Sequence, residues 1–236
     1  MTAFHPDLQA ARYIPRYTMG PRLTRLMRSG ELRLPPVPDD VIVEDVAVPG
    51  SDGEPQVSLR IYQPRELATP APALFWTHGG GFIQGSPSQD EVAIMRDEVR
   101  PAFQLLVYPM LDDRTVLRTD IDPKKLRMWS PGSNRFGWAS YLGGQPGSAD
   151  VSPYAAPARR DDLSGLPPAW IGVGTLDLFH DEDLVYARRL ESAGVPCEVH
   201  IVEGAFHGFD AVFRKAGVTR AFWEEQARAL RAALLG

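Results

Sequence analysis

Two side chains in this sequence have the type and spacing for proton transfer. Asp177, in Gly174-Thr175-Leu176-Asp177, and His207, in Gly204-Ala205-Phe206-His207-Gly208-Phe209, each follow a short run that reads as a strand. A carboxylate holds an imidazole in one tautomer and favours its cationic form, and the imidazole moves the proton of a nucleophile. A third cluster, His78-Gly79-Gly80-Gly81-Phe82, follows the apolar run Leu74-Phe75-Trp76-Thr77. Consecutive glycines after a strand let the backbone turn and aim several N–H groups at one point, which suits a developing oxyanion. Each feature also has an ordinary structural explanation. Asp177 fits a helix N-cap, His207 an exposed loop, and the glycines a flexible turn.

The elements that must position these groups read most clearly in the last seventy residues. Ala169-Trp170-Ile171-Gly172-Val173-Gly174 is a buried strand. A helix from about Asp181 to Ala193 places Leu184, Ala187 and Leu190 on one face and stops at Gly194. Cys197 to Ile201 alternates as a strand, and a final helix from about Val218 to Leu235 buries Val218, Phe222, Leu230, Ala233 and Leu234. Strand, helix, strand, helix in this order indicates an α/β fold with a parallel sheet, and active groups gather at the C-terminal edge of such sheets.

Upstream, Val41–Val48 and Val57–Tyr62 predict a hairpin across Ser51-Asp52-Gly53. Leu74–Thr77 and Phe103–Pro109 read as buried parallel strands, with a short helix from Gln89 to Glu98 between them. Residues 1–40 hold a short helical pattern around Leu23, Leu26 and Met27 and end in a Pro-rich linker. Residues 110–165 are too long for a simple connection and read as an inserted cap. The expected organisation is therefore an N-terminal cap segment (1–40), a first core part (41–109), the cap insert (110–165) and a second core part (166–236).

Composition closes off several function classes. The chain has 236 residues, with 25 Lys and Arg against 30 Asp and Glu, a net charge of −5. Without a basic surplus, nucleic acid is not the expected partner. A single cysteine, Cys197, excludes an intrachain disulfide and a cysteine zinc cluster. No apolar run reaches the length of a membrane span, and Met1–Gly20 has no signal-type apolar core, so the expectation is a cytoplasmic protein. His78, His207 and Asp177 lack His-x-x-x-His spacing, and no metal or cofactor is implied. The acidic run Asp181-Glu182-Asp183 sits in the first turn of a helix, where the helix dipole favours negative charge, and needs no further role.

Taken together, the chain resembles the hormone-sensitive-lipase-like carboxylesterases, a branch of the α/β-hydrolase fold. The residues that carry the likeness are His78–Phe82, Tyr108-Pro109-Met110-Leu111-Asp112, Trp129-Ser130, Tyr141-Leu142-Gly143, Ser152–Pro157, Leu166-Pro167-Pro168, Asp177 and His207-Gly208-Phe209. An acid after one strand and a base after the next also matches the triad order of that fold. The resemblance implies a mostly parallel sheet with helices on both faces and a helical cap. It implies Asp177 and His207 as triad acid and base, with N–H groups of Gly79, Gly80 and Gly81 as the oxyanion hole behind the motif residue His78. It further implies a small-molecule carboxylic ester as substrate, and a homodimer face on the C-terminal strand and helix.

The sequence departs from the family at the nucleophile, for no Gly-x-Ser-x-Gly occurs. Ser86 and Ser88 lie near the glycine loop but not between the required glycines, and Ser130, Ser133, Ser140, Ser148, Ser152 and Ser164 fall in the cap region. The helix at Glu91–Glu98 passes at once into Phe103–Pro109, so two strand–helix units of the family, on the order of 60 residues, are absent. Their loss would leave unpaired N–H and C=O groups beside the strand ending at Thr77, at about 1–3 kcal/mol for each buried group. Three accounts are open: a segment missing from the sequence as written, a deletion whose sheet rearranges, or strands supplied by another chain. The last is weak for a homo-oligomer, in which every copy lacks the same segment. The expectation is a serine-type ester hydrolase that is inactive or severely impaired as written. The alternative is a non-catalytic hydrolase-derived scaffold that at most binds an apolar ligand.

Overall fold

Val41–Val48 and Val57–Pro64 pair as antiparallel strands β1 and β2, in a register running from Val41 opposite Pro64 to Val48 opposite Val57. The computed structural model describes residues 3–28, 37–48, 56–67, 71–75, 79–83 and 101–235. The chain divides into two units: residues 29–76, which hold this hairpin, and residues 1–28 together with 77–236. The predicted hairpin is thus present. Across it, Asp45 lies opposite Arg60 and accepts two guanidinium hydrogen bonds at 2.7 and 2.8 Å.

Leu74 and Phe75 depart from expectation. They lie in an irregular segment and are 56% and 57% exposed, where the sequence predicts a buried strand. A strand apolar on both faces needs a partner on each side, and no described strand pairs with 71–75. Trp76, Thr77, His78 and the helix predicted at Gln89–Glu98 lie outside the described residues.

The larger unit runs α1 (Pro21–Arg28), β3 (Gln104–Val107), α2 (Pro131–Leu142), β4 (Ala169–Gly174), α3 (His180–Ser192), β5 (Cys197–Val202), a single turn α4 (Phe209–Val212) and α5 (Gly217–Leu235). The three strands form a parallel sheet in the order β3-β4-β5, with Ala169 opposite both Gln104 and Cys197. Every residue of β4 is buried, as an all-apolar central parallel strand must be. Successive side chains point to opposite faces, and each face has its own helix. Trp170 packs with Phe222 of α5, Phe206 and Phe209. Ala169 and Ile171 pack with Ala187 and Leu190 of α3. Helices on both faces of a parallel sheet are the expected α/β architecture.

Helix α3 stops where the sequence predicts, with Val195 N–H bonding back to the Leu190 carbonyl at 2.9 Å. Helix α5 buries Thr219, Phe222 and Ala229, while Leu230, Ala233 and Leu234 are only half-buried, contrary to expectation. Ala229, Ala232 and Ala233 instead share an open cleft with Ala102, Phe103 and Pro168, just before β3 and β4. Between β3 and β4, Asp113 is fully buried. It takes Arg159 Nε at 2.6 Å and Nη2 at 3.0 Å, and the Gly147 N–H at 2.6 Å. The N-terminal segment is tied to the same unit: Leu8 and Ala11 are fully buried, and the His5 N–H bonds to Gly204 O at 3.0 Å.

Candidate active site

The loops after β4 and β5 are stitched to each other, and this stitching brings the acid to the base. Thr175 N–H bonds to Val202 O at 3.1 Å, Leu176 N–H to Ala205 O at 2.9 Å, and Gly204 N–H to Thr175 Oγ1 at 2.8 Å. The close approach requires glycine at 174, because a Cβ there would run into the Ala205 carbonyl. Asp177 then points across at His207, with Oδ2 at 3.0 Å and Oδ1 at 3.3 Å from Nδ1. The Asp177 side chain is fully buried and also accepts the Phe179 N–H at 3.0 Å. The expected contact between Asp177 and His207 is therefore present, while the N-cap position of α3 belongs to Phe179, and Asp177 only closes the turn before it.

A buried carboxylate on Nδ1 favours the tautomer with the proton there and leaves the Nε2 lone pair free to accept another. Among the described residues, Nε2 has no partner. The ring is held by three aromatic neighbours. Tyr108 meets it edge-on with centroids 4.8 Å apart, Phe179 edge-on at 5.3 Å, and Trp129 tilted at 6.0 Å. Tyr108 is itself fixed: its N–H bonds to Gly172 O at 2.7 Å, and its hydroxyl donates to Asp210 Oδ1 at 2.9 Å. Burial, then the Asp210 charge, pushes its phenol well above the ordinary tyrosine range.

The glycine loop reaches the same neighbourhood through Trp129. Gly81 has φ +55°, and its Cα lies so close against the Trp129 indole that a Cβ would overlap the ring. The loop closes with the Ile83 N–H on Gly80 O at 3.0 Å. Phe82 anchors it, stacked on Tyr141 at 4.3 Å and tilted on Trp138 at 4.7 Å. The Gly80 and Gly81 N–H groups donate to no partner among the described residues. His78 lies outside the described residues.

Behind Asp177 and His207, the acidic run lies in the first turn of α3, as its sequence predicts. Asp181 is exposed, but Glu182 and Asp183 are buried. Glu182 Oε1 accepts the Leu111 N–H at 2.8 Å and the Asp112 N–H at 3.0 Å, while the Thr115 hydroxyl donates to Oε2. Three donors make it a buried clamp on the chain leaving β3. Burial still outweighs them and pushes its carboxyl up to about 8. Asp183 is fully buried with neither oxygen hydrogen-bonded among the described residues. Burial, then the Glu182 and Asp177 charges, raises its carboxyl well above the ordinary aspartate range. The first-turn position is as expected, and the burial of Glu182 and Asp183 follows from the side of that turn facing the loop after β3.

Several of the described serines are engaged structurally. Ser130 caps α2 by accepting the Ser133 N–H at 3.2 Å, Ser133 Oγ accepts the Met19 N–H at 2.8 Å, and Ser140 donates to Phe136 O at 2.7 Å. None is among the partners of His207, and Ser86 and Ser88 lie outside the described residues. Sequence reasoning missed helix α2 and assigned no contact to Trp129, although Ser130-Pro131 and Gly143 are N-cap, N1 and C-cap signals. Among the described residues no His, Cys, Asp and Glu cluster has metal-binding geometry, and no helix is long and apolar enough to cross a membrane.

Comparison with known proteins agrees with this geometry. The α/β hydrolase fold family profile matches residues 91–211. The carboxylic ester hydrolase LipN of Mycobacterium tuberculosis is 30% identical over 171 residues, covering 66% of this chain and 43% of LipN. Mouse hormone-sensitive lipase is 27% identical over 164 residues, covering 67% of this chain and 19% of that protein. The chain thus spans under half the length of these relatives. The solved structure of a bacterial heroin esterase superposes with a TM-score of 0.77 at 28% identity, covering 98% of each chain. With its parallel sheet, its contact between Asp177 and His207 past two strand ends and these relatives, the chain belongs to the α/β-hydrolase fold family, on its hormone-sensitive-lipase-like esterase branch.

Proposed function

We propose that this chain carries the acid, the base and the oxyanion loop of a serine-type carboxylic-ester hydrolase, without the serine. The carrying observation is the 3.0 Å contact between a fully buried Asp177 carboxylate and His207 Nδ1. In this reading His207 Nε2 is the proton acceptor and then donor, and Asp177 orients it. The Gly80 and Gly81 N–H groups, with Gly79, stabilise the charge on a tetrahedral carbonyl oxygen, and His78 opens the loop. Residues 3–28 and 110–165 form the cap over a small-molecule carboxylic ester, and the β5–α5 face, where Ile201 is 47% exposed, is the surface for a homodimer.

The sequence supplies no Gly-x-Ser-x-Gly for the base to activate, so the chain as written binds an ester and polarises its carbonyl but forms no acyl-enzyme. A site without its nucleophile retains about 10³–10⁴-fold acceleration over water at most, through binding and the oxyanion hole. The test is hydrolysis of a short-chain nitrophenyl ester by the chain and by His207→Ala, together with a fluorophosphonate probe. Weak turnover that falls in His207→Ala, with no serine labelled, supports the reading. A labelled serine and burst kinetics would show that a nucleophile is present after all. Turnover indifferent to His207 would leave a ligand-binding scaffold.

A further inference from the structure

A cavity of about 410 Å³ opens beside the α2 N-terminus. Arg16, Tyr17, Arg127, Trp129, Ser130 and Gly132 are among the residues that line it. Its volume falls within the usual range for small-molecule sites, and its charge is unusual. Arg127 is buried, 8% exposed, and has no carboxylate partner among the described residues. Its Nε donates to Ala11 O at 2.9 Å, and its Nη1 donates to Lys124 O at 3.0 Å and Leu126 O at 2.8 Å. Nη2 is left without a partner among the described residues. The guanidinium also lies over the Phe4 ring, 5.1 Å from its centroid; three carbonyls and a ring face hold it, but no anion among the described residues balances its charge, and buried charges are ordinarily paired.

The surroundings add to the positive potential rather than cancel it. Arg16 lines the same cavity, is exposed and has no ion pair among the described residues. Burial, then the Arg16 charge, draws the Arg127 pKa below its ordinary value, so the two cations feel each other. The α2 N-terminus, where Ser130 Oγ accepts the Ser133 N–H, lines the cavity through Ser130, Pro131 and Gly132. A helix N-terminus favours an anion. The Trp129 Nε1–H is buried without a partner among the described residues. Asp122, the near carboxylate in sequence, is exposed and accepts the Lys124 N–H at 3.0 Å. The remaining wall, with Tyr17, Leu126, Met128 and Trp129, is apolar and aromatic.

We propose that this cavity is a binding site for a small apolar carboxylate, its anionic end between Arg16 and Arg127 at the α2 N-terminus and its hydrocarbon part against Trp129 and Tyr17. Two guanidinium groups and a helix N-terminus match a carboxylate, which accepts forked hydrogen bonds. The aromatic wall selects an acid with a ring or short chain over an inorganic anion. The inference stands apart from ester hydrolysis, because it needs neither His207 nor a nucleophile.

The test is calorimetric titration of the full chain with sodium benzoate, and with benzamide as the neutral analogue of the same shape. Benzoate is expected to bind and benzamide to bind much more weakly, and added salt is expected to weaken benzoate by screening. Arg16→Gln removes an exposed side chain that holds nothing in place, so folding is preserved. It is expected to weaken benzoate roughly three- to fivefold, the range of a partly exposed ion pair. Equal binding of benzamide, unchanged affinity in Arg16→Gln, or no heat from benzoate at about 10 mM, beyond the weakest specific affinities, would each overturn the proposal. His207→Ala is expected to bind benzoate as the unchanged chain does, which separates this site from the hydrolytic reading.

Discussion

The Tyr108 hydroxyl donates to Asp210 Oδ1 at 2.9 Å, and the ring it immobilises meets the edge of His207 with centroids 4.8 Å apart. Asp210 is buried and also takes the Trp223 indole N–H at 3.0 Å. Tyr108 sits at φ +38°, a backbone conformation unfavourable for a bulky residue, and is kept there by packing and this bond. Tyr108→Phe preserves the ring and deletes the donor, leaving a buried carboxylate with one partner fewer. Hydrogen bonds to charged groups contribute about 1.5–3 kcal/mol, so urea unfolding should show a loss of about that size. An unchanged midpoint would mean that water replaces the phenol at Asp210.

Glu182 makes stability depend on pH with a sign opposite to that of most carboxylates. Its folded value, about 8, lies above its ordinary 4.5. Between these values the folded state binds more protons than the unfolded chain, so stability falls as pH rises. The contribution is full below about pH 4.5 and is lost by about pH 8. In Glu182→Gln the amide carbonyl still accepts from Leu111 and Asp112, and the amide N–H₂ can donate to Thr115. That variant should stay folded and flatten the decline of the unfolding midpoint between about pH 5 and 8. A slope unchanged from the parent chain would show that Glu182 is not the titrating group.

Asp183 lacks the donors that Glu182 has. Its raised pKa adds to the same downward slope, since ionising it inside the core strands a charge with no hydrogen bond. Asp183→Asn replaces an acid of equal shape with a group that cannot ionise. Its advantage over the parent chain should be small at pH 5 and larger at pH 8. About 1 kcal/mol would raise the midpoint by about 2–4 °C for a chain of this size. Thermal unfolding of both proteins at both pH values checks this, and a variant less stable at pH 8 would show that the carboxylate is needed charged.

The parts that the sequence makes legible are those in which one local pattern decides the outcome. Strand β4 reads as buried because all six of its residues are small or apolar, and α3 ends at Gly194 as its pattern indicates. Asp177 and His207 are readable because each lies a few residues past a strand end. Other features depend on contacts distant in sequence. Glu182 is a clamp only because the backbone at Leu111 and Asp112 returns to it, 71 and 70 residues away. Leu74 and Phe75 look like strand residues, but apolarity fixes a strand only where neighbours pair with it, and no described strand does. Trp129 links the glycine loop to the histidine through ring contacts that no spacing rule encodes.

Gly137 tests where the glycine loop rests. It lies in the middle of α2, where alanine is intrinsically better by about 1 kcal/mol. A Cβ at this position, however, would stand 2.6 Å from the Gly81 carbonyl oxygen and 3.4 Å from Trp129 Cζ2. The loop has no room to retreat, since Phe82 is stacked on Tyr141, itself on α2, and Ile83 is buried. Overpacking of this kind typically costs about 1–3 kcal/mol, which exceeds the gain in propensity. Gly137→Ala should therefore be less stable than the parent in urea, with a changed tryptophan emission as Trp129 shifts. Gly144→Ala is the control: its Cβ would meet only the Leu142 carbonyl, at 3.9 Å, and an exposed change of this kind stays within about 0.5 kcal/mol. If Gly137→Ala instead stabilises the chain, the Gly81 carbonyl does not lie on α2. The loop would then be free of the contacts that hold it near Trp129 and His207.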